Sequence, residues 1–125
     1  MNFERELTDH ERAILHMAID SMPVGREQAN AQLAVAKHGG PAHPGTHPCF
    51  FITLPDAVDR IPLGSEYPLT LYVTPDERTV GTIELFIVDG RLDSLDWSEV
   101  SLTDDEPGVT EFPSLARISA EMKLE

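Results

Sequence analysis

Residues 82–97 read TIELFIVDGRLDSLDW, and this stretch constrains the fold more than any other. A β-rich apolar run meets Asp89-Gly90, a dipeptide whose glycine accepts the positive φ that a tight hairpin turn demands. Residues 82–88 and 91–100 are therefore predicted as paired antiparallel strands. Side-chain alternation decides between two registers. A two-residue loop with unbroken pairing would set Ile83 opposite Asp96. A three-residue loop, with Gly90 supplying a bulge, sets Leu85 opposite Leu95 and Ile83 opposite Trp97. The second is predicted, because one face of the sheet must be buried and a one-residue slip turns every side chain to the other face. It makes Trp97 a core residue and leaves Glu84 and Asp96 together on the opposite face.

The elements around the hairpin follow from capping and spacing. Thr8 and Glu11 have the spacing of a capping box. Ile14, Met17, Ala18 and Met22 follow at helical intervals, so a helix is predicted over about residues 8–21, ending before Pro23. Residues 26–31 (REQANA) read as a short second helix and 33–38 as a strand, with helix continuation as the rival reading. Residues 49–54 (CFFITL) and 69–73 (LTLYV) read as strands, and 75–78 as a turn. Leu115, Ala116, Arg117 and Ile118 suggest a short closing helix started by Pro113 or Ser114. The chain of 125 residues fits one domain, 1–125. The predicted class is α+β: N-terminal helices packed on one face of a roughly five-stranded antiparallel meander, with a short C-terminal helix.

Charge narrows the partners. The net charge is −13, which disfavours nucleic acid and anionic membranes and favours a basic protein. Between Glu84 and Glu111 nine acidic residues stand against one basic residue, Arg91. Asp93, Asp96, Glu99, Asp104, Asp105, Glu106 and Glu111 are therefore the candidate partner-binding residues, on the hairpin and an acidic turn at 103–108. The charged N-terminus lacks an apolar leader core and no run is long enough for a membrane helix, so a cytoplasmic location is expected. One cysteine, Cys49, excludes a disulfide within the chain. An open meander leaves two sheet edges, through which a homodimer could form.

Residues 38–49, HGGPAHPGTHPC, raise the question of chemistry. His38, His43, His47 and Cys49 are all zinc-ligand types. Their spacing matches no finger or ribbon, and Cys49 opens an apolar strand where a free cysteine serves as a small hydrophobe. Zinc is thus the alternative reading, and no cofactor the leading one. The clustered imidazoles also suggest pH sensing, since they would repel one another once protonated. No nucleophile elbow, phosphate loop or calcium loop occurs. No catalytic residue is assigned, and the balance leans away from an enzyme.

LTDHERAIL, REQANAQLAV, HPCFFITL, GTIELFIVDGRLDSLDW and DDEPGVTEFPSLARI together resemble a set of small bacterial proteins of unknown function, mostly actinobacterial. The resemblance spans nearly the whole chain and is most specific over residues 81–118. Those proteins carry a Cys-rich stretch where this chain has its His-rich segment. The resemblance supports the fold and implies no activity. The expected function is a non-enzymatic, cytoplasmic protein-interaction module whose acidic face takes a basic partner, in the manner of an immunity protein.

Overall fold

A computed structural model describes residues 4–22, 24–41, 48–62, 69–73, 79–101 and 112–119. Among these residues two α-helices and a seven-stranded antiparallel sheet give an α+β architecture. The helices are α1 (Asp9–Asp20) and α2 (Arg26–Val35). The strands are β1 (Arg5–Glu6), β2 (Lys37–Pro41), β3 (Phe50–Thr53), β4 (Leu69–Val73), β5 (Thr79–Val88), β6 (Arg91–Ser101) and β7 (Ile118–Ser119). Among the described residues no helix is long and apolar enough to cross a membrane.

The first helix forms as its sequence dictates. The Glu11 amide donates to Thr8 Oγ1 at 3.0 Å, and the Thr8 amide donates back to Glu11 Oε1 at 2.9 Å. Two otherwise orphaned N–H groups are thus satisfied, a type of cap worth about 1 kcal/mol. Ile14, Leu15, Ala18 and Ile19 form its buried stripe. The second helix runs further than residues 26–31 and absorbs 33–35, which were expected in a strand. Ala29, Gln32 and Leu33 are all buried, and only helical spacing puts these three on one face. The β2 strand therefore begins at Lys37, and the Leu33 carbonyl at the helix end accepts both the Ala36 amide at 3.2 Å and the Arg12 guanidinium at 3.1 Å.

The hairpin keeps the predicted register by a different route. Leu85 faces Leu95, Ile83 faces Trp97, and Glu84 faces Asp96. The loop, however, has two residues, not three: Val88 pairs with Arg91. Asp89 (φ 54°) and Gly90 (φ 73°) both take positive φ, as a type I′ turn requires. The extra residue lies inside β6, where Ile87 pairs with Leu92 but Phe86 with Ser94. The bulge thus falls at Asp93. The turn takes the φ values that best suit a twisted ribbon, and the bulge restores apolar-to-apolar pairing beyond it.

The sheet has seven strands rather than five, in the order β1-β2-β3-β6-β5-β4-β7. Among the described residues the meander is confined to β4-β5-β6. β3 pairs with β6 instead of its sequence neighbour β4, setting Phe50 opposite Leu95 and Phe51 opposite Ser94. The two additional strands are two-residue edges. The short C-terminal helix is likewise corrected: Leu115–Arg117 is one 3-10 turn, and Ile118 continues into β7 beside Val73. A four-residue helix cannot recover its nucleation cost alone, whereas β7 buries Ile118.

The buried hydrophobic residues of both helices and of β3 to β7 belong to one cluster. Within it the wholly buried Gln32 ties helix to hairpin. Its Nε2 donates to the carbonyls of Asp59 (2.7 Å) and Gly90 (2.8 Å), while its Oε1 accepts from the Leu92 amide at 2.9 Å. The Ile61 amide donates to the same Gly90 carbonyl at 2.7 Å. A Cβ on Gly90 would come within 2.8 Å of the Ile61 carbonyl oxygen, so glycine serves both conformation and close approach there. Gln32→Ala removes a hydrogen bond from the buried Leu92 amide and from the part-buried Asp59 carbonyl, while the Gly90 carbonyl keeps the one from Ile61; a buried group left unsatisfied costs about 1–3 kcal/mol. The expected outcome in urea unfolding is a loss of at least about 2 kcal/mol, with Gly90→Ala losing about 1–3 kcal/mol from backbone strain.

Candidate functional site

Two arrangements gather functional side chains. The first lies where β1, β2 and the start of α1 meet. Register sets Arg5 opposite His38. The Arg5 guanidinium forks onto Glu11, with contacts of 3.0 Å to Oε1 and 2.8 Å to Oε2. Such two-point pairing is stronger and more directional than a single contact. Burial works against ionisation of Glu11, but the Arg5 and Thr8 hydrogen bonds and the charges of Arg5 and His38 together hold its carboxyl below the ordinary 4.5.

The His38 ring stacks on Phe50, with centroids 4.5 Å apart and planes at 16°. Phe112 meets the same Phe50 edge-on at 6.1 Å. The Gly40 amide donates to His38 Nδ1 at 3.1 Å, so the neutral ring carries its proton on Nε2. Burial, and then the Arg5 charge, lower the His38 pKa from 6.5, against an opposing pull from Glu11.

This geometry bears on the zinc reading. The His38 imidazole is occupied by Phe50 and Gly40. The buried Cys49 sulfur accepts from the Trp97 amide at 3.1 Å, which makes it an internal link between the start of β3 and β6. His43 and His47 lie outside the described residues. Among the described residues no three His, Cys, Asp or Glu side chains form a group able to hold a metal ion, so nothing there supports a zinc site.

The second arrangement is the sheet face opposite the buried rows. Cross-strand partners share a face. Phe51, Ser94 and Phe86 therefore form one row across β3, β6 and β5, and Asp96, Glu84 and Thr70 form the next across β6, β5 and β4. Phe51 is 49% exposed; Phe86, Glu84 and Asp96 are half-buried. Of the predicted partner-binding residues, Asp96 thus stands in this row, Asp93 sits at the β6 bulge, and Glu99 is further along β6 opposite Gly81. Asp104, Asp105, Glu106 and Glu111 lie outside the described residues.

The sequence reading passed over Phe51 and Phe86. A signal existed, because adjacent Phe50 and Phe51 on a strand must point to opposite faces. Arg5 gave no comparable signal, since its link to Glu11 spans a cap whose path is set by β1 pairing.

No profile of a known protein family, no curated protein and no solved structure matches the chain.

The Arg5–Glu11 pair fixes the sign of an acid effect. With the folded-state value lowered, the stabilisation is fully present above about 4.5 and is lost as pH falls through the lower folded value. Glu11→Gln should therefore be less stable than wild type at neutral pH, with the gap narrowing below pH 4.5. Thermal melts across that range measure it; a gap independent of pH would contradict the ion-pair account.

Proposed function

We infer that this protein is a non-enzymatic protein-interaction module of the cytoplasm, and that its partner is basic, as a cationic toxin is for an immunity protein. The observation that carries the reading is the pair of neighbouring rows, aromatic Phe51 and Phe86 beside acidic Glu84 and Asp96, facing away from the buried rows. The first helix approaches β4 and the second approaches β6, and in this reading both cover the opposite face. The aromatic–acidic face then lies on the side away from the helices, where a partner can approach.

The chemistry favours arginine at the contact. A guanidinium stacks on aromatic faces and forks onto carboxylates, and these rows offer both within two strands. The net charge of −13 adds long-range attraction, which speeds encounter and makes it salt-sensitive. In this reading Asp93, Glu99, Asp104, Asp105, Glu106 and Glu111 extend the acidic surface. A homodimer through sheet edges has less in its favour, because β1 and β7 offer only two residues each.

Charge reversal tests the reading. Protein carrying Glu84→Lys and Asp96→Lys is compared with wild type by cross-linking and co-purification from the source cells. A basic partner recovered with wild type, lost with the double variant and bound more slowly as salt rises is the expected result. A partner whose binding is indifferent to the reversal, or the recovery of no basic partner at all, would sink the proposal.

A further inference from the structure

His38 sits at an irregularity in the sheet. His38 pairs with Ile52 and Pro41 with Phe50, so β2 spends three steps where β3 spends two. The additional residue makes a bulge, and a bulge takes one residue out of regular pairing. Gly40, at φ 118°, adopts backbone geometry that only glycine takes readily. Its amide donates to His38 Nδ1. The imidazole thus closes the bulge of its own strand, and Phe50 holds the ring in place by stacking.

We propose that His38 is an acid-sensitive latch, whose neutral imidazole locks the Gly39–Gly40 bulge and whose protonation releases this end of the β1–β2 edge. The proposal is independent of the partner reading above. Its basis is donor and acceptor geometry. A neutral ring with its proton on Nε2 offers Nδ1 as acceptor. A protonated ring has two donors, and the Gly40 N–H then faces another N–H.

The surrounding charges set how readily this happens. From β1, Arg5 opposes a second cation. From α1, Glu11 favours one, but both its oxygens are engaged by Arg5 and one also by the Thr8 amide. From β3, the contact is the uncharged Phe50 ring. Along β2 itself, Lys37 lies near Glu4 and Glu6, at 3.9 and 3.8 Å. Burial further disfavours the imidazolium. Since the folded-state value is lowered, the stability contributed by the neutral ring is complete above 6.5 and is lost as pH falls below it. Among the described residues β1 pairs with β2 alone, so loosening the His38 end weakens the hold on Arg5 as well.

Nuclear magnetic resonance of the full chain tests the latch. In wild type the His38 ring should show the Nε2–H form at neutral pH and titrate below 6.5. Between about pH 7.5 and pH 5 the Gly40 amide protection factor, corrected for intrinsic exchange, should fall on the order of tenfold, as for one lost hydrogen bond. Amides in the middle of β5 and β6 should keep theirs. His38→Gln supplies an acceptor that does not titrate, and its Gly40 protection should not change over the same range. Flat Gly40 protection in wild type, an Nδ1–H ring, a fall shared equally by β5 and β6, or the same fall in His38→Gln would each overturn the latch. Should His38→Gln fail to fold, the wild-type ring form and the comparison of Gly40 with the hairpin amides decide alone.

Discussion

One buried amide organises the centre of this protein. Gln32 reaches from α2 and satisfies the carbonyls of Asp59 and Gly90 and the amide of Leu92. The β5–β6 turn is thereby anchored to the helix and to the segment before Ile61. An unsatisfied polar group at this depth is costly, and without Gln32 the Leu92 amide and the Asp59 carbonyl would each lose a hydrogen bond, with the Gly90 carbonyl keeping that from Ile61. The constraint propagates outward. Anchoring the turn leaves the hairpin to restore its pairing through the Asp93 bulge, and the resulting register decides which residues of β5 and β6 are buried.

The two faces of the sheet follow from that register. Ile83, Leu85, Leu95 and Trp97 go into the core, and β3 extends the same row with Phe50. Glu84, Asp96, Phe86 and Phe51 go to the other side. The pairing that builds the core therefore also assembles the aromatic and acidic rows. At the β1–β2 edge, Arg5, Glu11 and His38 form a smaller polar group. There a helix cap, an ion pair and a ring stack share residues, and both titratable members lose their stabilising effect in the acid direction.

Much of this was legible in the chain. The Thr8–Glu11 box and the stripe from Ile14 to Ile19 define α1, because cap and stripe are local features. Asp89-Gly90 and the alternation on either side define the hairpin pairing, including Trp97 opposite Ile83. The errors have local causes too. Residues 33–35 carry an apolar run that serves strand or helix equally, and burial of Ala29, Gln32 and Leu33 on one face settled it as helix. The closing residues 115–118 have helical spacing, but Ile118 gains more by pairing beside Val73. The bulge was assigned to Gly90 because the sequence shows that one residue must be absorbed, not where.

The sequence by itself determined the cap, the turn and the apolar alternation, since each depends on neighbours a few residues apart. It also determined the acidic character, which needs only composition. Tertiary structure alone decided that β3 lies beside β6, that Gln32 meets three distant backbone groups, and that Arg5 and His38 share a register position. These contacts join residues far apart in the chain, and their partners are backbone groups that every residue carries. No local pattern marks such a partner. The fate of His38 shows the difference: its type suggested a metal ligand, but its place opposite Arg5, against Phe50 and within reach of the Gly40 amide, made it part of the sheet.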